Sequence, residues 1–277
     1  MKKMGIKLFV ASFTLMVYVT GFGFNSKSLD NEMDLPNNAK DKILASVARV
    51  DLTPPLEMKF ALGGYGERMN KPAIGVYDKI WAKAVAFKKG DKKYVIITLD
   101  VLGLPPNVKP QLLKTLTGKG WNKQNMMLLP SHSHASLDMA ALNDKNLLNS
   151  PQIGIFHLEL LEFVINTLSK LIIEVDTNYQ EVKIGTNSML VENMNRNRRG
   201  DPGVDKNLTV TRIDTKKGNT MAVLVNWTAH PTFMGEKDMM VSGGWPGYLQ
   251  SGLEQKIGKG AIVLYYNGAE GDQSPIG

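Results

Sequence analysis

Three of the four histidines in this 277-residue chain follow apolar segments that are typical of buried strands. His132 and His134 come after the apolar segment 126–129, and His230 comes after 223–227. In an extended chain, residues i and i+2 point to one face, so an H-x-H pair would aim both imidazoles at one point. Open α/β sheets place their sites at strand ends, where the fold could add His230. The pattern predicts a metal site on His132, His134 and His230, against the alternative of three ordinary polar residues at strand ends.

The fourth histidine has a different setting. His157 falls on the apolar stripe of a helix predicted over residues 153–174, where apolar side chains recur at helical spacing. We interpret it as a packed or half-exposed helix residue and not as a metal ligand.

Two polar segments could supply further chemistry. A glycine-rich segment, 267–275, follows a predicted buried strand and contains Ser274. Glycines there would let backbone N–H groups approach a ligand, and Ser274 could be a nucleophile or a hydrogen-bonding group. Local spacing alone favours a solvent-exposed serine in a turn, since the segment is not a G-x-S-x-G elbow. The other segment, 195–202, carries Asn195 and Arg196, which could clamp a polar head group or a carboxylate, or form a solvated basic loop.

Composition excludes several classes of protein. The chain has no cysteine, which excludes disulfide scaffolds, cysteine-ligated zinc and thiol nucleophiles. The formal net charge is +7, yet the basic residues are interspersed and do not form the clustered patch of a nucleic-acid-binding protein. We therefore expect no nucleic-acid partner.

The N-terminus has the layout of a targeting segment. Lys2, Lys3 and Lys7 precede an apolar run over residues 8–24, as in a secretory signal peptide, with an uncleaved anchor as the alternative. We expect residues 1–24 to be this segment, 25–42 a polar linker and 43–277 a single domain. The domain is then extracytoplasmic, either periplasmic or secreted.

Strand and helix patterns alternate through this domain. The clearest is a hairpin in which strands 80–87 and 94–99 flank a Gly-Asp turn. Strands are also predicted at 45–51, 126–129, 182–185, 208–213, 221–227 and 261–266, with helices at 108–116, 153–174 and 246–257. The fold class is α/β, with a mixed β-sheet, hairpins and crossover helices in a single catalytic-type domain.

The ordered set of motifs resembles the N-terminal domain of the neutral/alkaline non-lysosomal ceramidase family over residues 43–277. The segments that carry this resemblance are 49–55, Gly64-Tyr65-Gly66, 75–78, 82–84, Leu99-Asp100, Ser131-His132-Ser133-His134-Ala135, Asn195-Arg196, Ala229-His230-Pro231-Thr232, 242–248 and Gly271-Asp272-Gln273-Ser274-Pro275.

The resemblance implies a zinc-dependent amidase that cleaves the N-acyl bond of ceramide to give sphingosine and a fatty acid. It implies Zn²⁺ ligation by His132, His134 and His230, with His132 and Ser274 in the catalytic centre and Arg196 and Gly64 contacting substrate. It also implies a Glu and a Tyr ligand downstream of Ser274, so the domain is expected to be incomplete at its C-terminus. The expected partner is a lipid-like N-acyl sphingoid at a membrane or micelle surface, with no protein partner.

The mechanism expected from these residues is metal-assisted hydrolysis, in which Ser274 either orients the substrate or attacks it. Two alternatives stay open: hydrolysis of another ester or amide on the same site, or a non-catalytic envelope protein that binds a lipid or glycan.

Overall fold

The computed structural model describes residues 42–276, which form twelve strands and three α-helices in that range. The strands are β1 Leu44–Asp51, β2 Gly75–Val76, β3 Trp81–Lys89, β4 Lys92–Leu99, β5 Met126–Pro130, β6 Gln180–Leu190, β7 Asn195–Asn197, β8 Asn207–Thr215, β9 Thr220–Trp227, β10 Met240–Val241, β11 Ile262–Asn267 and β12 Gln273–Pro275. The helices are α1 Val108–Thr115, α2 Leu158–Val175 and α3 Gly244–Ile257.

Eight strands form one mixed sheet in the order β11-β9-β8-β6-β1-β3-β4-β5. β4 and β5 are parallel, as are β9 and β11, and the remaining neighbours are antiparallel. The predicted hairpin is confirmed as β3 and β4, which pair over the whole length of β4. The expected α/β fold with a mixed sheet in a single domain is therefore confirmed.

The sheet divides where β1 meets β6, because these strands pair only at Leu44 with Glu181 and at Ala45 with Gln180. Beyond that point the two halves diverge, and β11 lies against β1, β3, β4 and β5. Side chains from both halves meet in one apolar cluster that includes Val85, Ile213 and Leu264. The halves thus pack face to face and bury β11, as its apolar sequence requires.

The helix α2 covers the half-sheet that contains β1 and β3. Its buried apolar residues, among them Leu161, Val164, Leu168 and Leu171, recur at helical spacing and face the largest core cluster. The helix begins at Leu158, five residues later than the pattern indicated.

The position of His157 corrects the interpretation of this residue as part of a helix face. His157 is extended (φ −132°) and is the N-cap of α2. Its Nδ1 accepts a hydrogen bond from the Leu160 amide at 3.3 Å, and its Nε2 donates to the Met58 carbonyl at 2.8 Å. The apolar spacing extends to residues before Leu158, so it could not reveal that the helix begins only after the capping side chain of His157.

The expected signal peptide and most of the linker lie outside the described residues. Within residues 42–276, each helix is too short or too polar to span a bilayer.

Candidate metal centre

The structure brings His132, His134 and His230 together at the ends of β5 and β9. One ring nitrogen from each histidine lies within 4.8 Å of the others, and the three ring centroids are 4.7–5.0 Å apart. Nitrogen atoms at such separations can share one metal ion after a small movement of the rings.

Hydrogen bonds to carbonyl oxygens fix the tautomer of two of these rings. His132 Nδ1 lies 2.7 Å from the Leu102 carbonyl and His230 Nδ1 lies 3.2 Å from the Glu270 carbonyl. A carbonyl oxygen can only accept, so each Nδ1 carries the proton and each Nε2 presents a lone pair. Carbonyl groups that bind the outer nitrogen of a metal-ligating histidine are a common way to orient the ring.

His134 also faces the cluster through its Nε2 atom. Its Nε2 lies 3.0 Å from the Nε2 of His230, close to the separation of about 3.3 Å between two nitrogens on one tetrahedral zinc ion. Its Nδ1 is buried and has no hydrogen-bond partner among residues 42–276. The lone pair on His230 Nε2 therefore faces His134 Nε2, and either a proton on His134 Nε2 or a metal ion between the two nitrogens would satisfy this contact.

Burial also favours the neutral form of His134 and His230. Desolvation, reinforced by the nearby charge that His132 and His230 would carry if protonated, lowers the pKa of His134 to about 3. Burial likewise lowers the pKa of His230. Both imidazoles are therefore neutral at physiological pH, which is the form that binds metals. The three histidines fit a Zn²⁺ ion by donor type and spacing, and His132 and His230 also by tautomer.

The geometry of the H-x-H segment differs from the expected extended pair. His132 has a left-handed backbone (φ +67°), while its amide donates to Val101 and the preceding Ser131 amide donates to Leu99. The strand β5 ends at Pro130, and these loop hydrogen bonds replace the ladder. The convergence of the imidazoles is thus produced by a turn and not by strand alternation.

His230 also lies beyond its strand, because β9 ends at Trp227. The C-terminal segment holds it in place: the His230 amide donates to the Gln273 carbonyl at 2.8 Å, and its ring binds Glu270 as described. Two sequence-distant segments are therefore joined at the cluster.

Ser274 and Arg196 lie opposite each other in a two-stranded sheet formed by β7 and β12. Directly opposed residues in antiparallel strands project to the same face. Ser274 is 6% exposed, so the interpretation as a solvent-exposed turn serine is wrong, whereas Arg196 is exposed. Strands of three residues carry no measurable periodicity, which is why the sequence pattern did not reveal them.

Gly64 contacts the cluster through its backbone. It has a positive φ of +91°, and a Cβ at this position would lie only 2.3 Å from His134 Nδ1. This packing explains why glycine is required here; contact of Gly64 with substrate stays a prediction.

Arg68 is the residue of this region that the sequence did not indicate. It is 2% exposed and its guanidinium donates to backbone carbonyls around the histidines, including that of His134. Its neighbours Gly66 and Glu67 are typical of a solvated loop, so no local pattern predicts its burial.

Comparisons with known proteins identify the family of this chain. The family model described as neutral/alkaline non-lysosomal ceramidase, N-terminal, matches residues 44–275. Neutral ceramidase B of Dictyostelium discoideum is 25% identical over 77% of this chain and 33% of its own length. Neutral ceramidase A of the same organism is 22% identical over 97% of this chain and 40% of its own length.

A solved structure shares the fold. The crystal structure of neutral ceramidase from Pseudomonas aeruginosa superposes with a TM-score of 0.76 at 19% identity, covering 84% of this chain and 39% of that one. The chain spans two fifths or less of the curated relatives it matches. On the match across residues 44–275, this chain belongs to the neutral/alkaline non-lysosomal ceramidase family, in which it corresponds to the N-terminal region.

Proposed function

We propose that this chain is a zinc-dependent hydrolase domain that cleaves an N-acyl amide bond in a ceramide-like lipid. The observation that carries the proposal is the convergence of three imidazoles whose ligand atoms lie within 4.8 Å. Family membership supports a ceramidase-like hydrolase, and the zinc, the bond cleaved and the substrate are our inference from the site.

His132, His134 and His230 would hold the ion through their Nε2 atoms. A zinc ion in such a site supplies Lewis acidity toward a carbonyl and activates water at neutral pH. The Leu102 and Glu270 carbonyls keep the outer protons of His132 and His230 in place, so the metal-facing lone pairs are available without a tautomer change.

Ser274 and Arg196 would act on the substrate from one face of the β7–β12 sheet. The buried Ser274 hydroxyl is suited to orient or attack the amide carbonyl, and the exposed Arg196 guanidinium is suited to bind a polar group of the lipid. Neither residue would be a ligand of the zinc ion.

The proposed substrate is an N-acyl sphingoid presented by a membrane or micelle. The names of the curated relatives support this class. The basic and apolar N-terminal sequence supports a location outside the cytoplasm.

The first experiment measures zinc content in the purified chain and in His132→Ala and His230→Ala. We expect about one Zn²⁺ per wild-type chain and a loss of more than about 100-fold in zinc affinity for each variant. Removal of a ligand should weaken binding more than removal of a group that only hydrogen-bonds to a ligand, which costs about 10- to 100-fold. Chelation should lower the melting temperature, because zinc binds the native state. Full zinc content in both variants would show that the ligand assignment is wrong.

The second experiment tests the reaction. Wild type, Ser274→Ala and Arg196→Ala are incubated with a fluorescent ceramide, a matched ester and a matched N-acyl amide without a sphingoid base. Zinc content is measured in parallel. We expect ceramide cleavage by wild type and its loss in Ser274→Ala at unchanged zinc content. Preferred cleavage of the ester would favour the alternative hydrolase, and zinc binding without any turnover would favour the non-catalytic alternative.

A further inference from the structure

We propose that Arg68 is the positioning residue of the histidine site, an inference that rests on the proposed function. Its single guanidinium joins three loops, each of which contributes a wall or a ligand of the cluster. The first is its own loop at residues 63–71, the second contains His134, and the third, residues 231–239, follows His230.

Four backbone carbonyls accept hydrogen bonds from this side chain. Nη1 donates to Gly63 at 2.6 Å and to His134 at 2.5 Å. Nη2 donates to Gly235 and to Asp238, both at 3.0 Å. One planar group therefore fixes the relative positions of three chain segments.

Each segment is also tied directly to the histidines. Gly63 precedes Gly64, whose backbone packs against His134 Nδ1. The His134 amide donates to the Pro231 carbonyl at 3.3 Å, next to His230. A shift of any of these carbonyls would therefore move a ligand or the surface that supports it.

The loop at residues 231–239 is shaped to receive the guanidinium. The Asp238 carboxylate accepts a hydrogen bond from the Gly235 amide at 2.9 Å. This contact closes the turn. The carbonyls of Gly235 and Asp238 then both accept hydrogen bonds from Arg68 Nη2. Tyr65 completes the enclosure, since the Arg68 guanidinium lies 4.9 Å from its ring centroid and the same ring lies edge-on to His134 at 4.9 Å.

The chemistry requires arginine. The planar fork of guanidinium offers five N–H donors in a fixed geometry, whereas a lysine ammonium offers three donors around a point charge. Within residues 42–276, the side chain of Arg68 has no carboxylate within salt-bridge distance. Carbonyl dipoles are therefore its main compensation, and they belong to the loops that carry the site.

A merely structural role must be separated from a positioning role, and Lys83 offers the control. It is also a buried cation, 3% exposed, but its partners are Glu254 and the Val263 carbonyl, away from the three loops. Loss of this cation should destabilise the protein without changing the geometry of the site.

The test compares Arg68→Lys and Lys83→Met in the full 277-residue chain, well below the melting temperature of each. Zinc affinity is measured by chelator competition, and hydrogen exchange of the metal-free protein is followed in peptides covering 60–71, 131–138 and 231–239. We expect Arg68→Lys to weaken zinc binding by about 10- to 100-fold and to raise exchange in all three peptides together. Lys83→Met should leave both unchanged.

Several outcomes would overturn the inference: unchanged zinc affinity in Arg68→Lys, exchange raised in only one loop, or equal losses in the Lys83→Met control. If wild type binds no zinc, the proposed metal function fails, and the exchange result alone still shows whether Arg68 joins the loops. If Arg68→Lys does not fold, native-state exchange of wild type in mild denaturant decides, because three bridged loops must open with one free energy. Distinct opening energies would contradict the bridge.

Discussion

The core beneath α2 is apolar and continuous, whereas the loops around the three histidines are held by polar contacts to the backbone. Ten of the 18 residues of α2 are buried, and eight of those ten are apolar. Around the histidines, the decisive contacts are hydrogen bonds to carbonyls, such as those made by His132, His230 and Arg68.

The two regions should therefore respond differently to substitution. Burial of apolar area is non-directional and sets the global free energy of unfolding. Hydrogen bonds to carbonyls are directional and fix atoms within tenths of an ångström, at a small net contribution to stability. Stability and site geometry are expected to be separable in this protein.

The largest effect on stability is expected from Leu168→Ala, at a position that is 0% exposed beneath α2. Removing a buried leucine side chain costs about 2–5 kcal/mol of unfolding free energy. Urea unfolding measures this loss, and Ile173→Ala, exposed on the same helix, is the control, with an effect within about 0.5 kcal/mol. Zinc affinity should be unchanged where the variant is folded; a weaker affinity would show that the regions are coupled.

The second effect concerns Asp100, a buried carboxyl group that directly follows β4. Burial raises its pKa to about 6, despite the nearby Lys83 charge and hydrogen bonds from Gln250 and the Trp81 amide, and the nearby Asp78 adds a smaller upward contribution. Because the native state holds this proton more tightly than the unfolded chain, the contribution to stability is present at about pH 4 and is lost as the pH rises through about 6.

We therefore expect wild type to lose about 2–3 kcal/mol relative to Asp100→Asn between about pH 4 and pH 7. Urea unfolding of both proteins across this range measures the difference. Parallel stability curves would show that Asp100 ionises as it does in the unfolded chain.

The third effect should fall on the site. Gly64→Ala places a methyl group 2.3 Å from His134 Nδ1, so the ring must move, and zinc affinity should fall by about 10- to 100-fold. Gly218→Ala is a matched control, because Gly218 also has a positive φ (+81°) but nothing within 4 Å of the added Cβ. It should lose about 1–2 kcal/mol of stability from the backbone alone and keep its zinc affinity. Equal zinc affinities in the two variants would contradict the packing argument.

The smallest effect is expected at His157. His157→Ala removes the N-cap of α2 and should cost about 0.5–2 kcal/mol, while His157→Asn, which keeps a capping oxygen, should recover part of that loss. Metal analysis of both should give wild-type zinc content. Loss of zinc would place His157 in the site and contradict the separation of the two regions.

The sequence predicted the regular elements that carry long periodic patterns. The β3–β4 hairpin and α2 have enough apolar residues at fixed spacing to be recognised. The start of α2 was predicted too early, because the spacing does not show that His157 is its N-cap. The strands β2, β7, β10 and β12 have only two or three residues, so no period exists to detect, and they form because tertiary contacts bring their edges together.

For the site, residue types and strand ends predicted that His132, His134 and His230 would converge, but not how. The left-handed turn at His132 depends on loop hydrogen bonds to Leu99 and Val101, which are distant in sequence. The role of Arg68 could not be predicted either, because its four acceptors lie on loops that are distant in sequence and that local patterns cannot place together.

The backbone conformation of His132 has a consequence for sequence drift. Its φ of +67° disfavours a residue with a β-carbon by about 1–2 kcal/mol, whereas glycine, and occasionally asparagine, adopts this conformation readily. Substitution of His132 by glycine would thus relieve backbone strain while removing a ligand. The backbone conformation thus disfavours histidine at this position, whereas the hydrogen bond of its ring to the Leu102 carbonyl and the metal site favour it. Of the three ligand positions, 132 is therefore the one whose backbone favours another residue once metal binding is no longer selected.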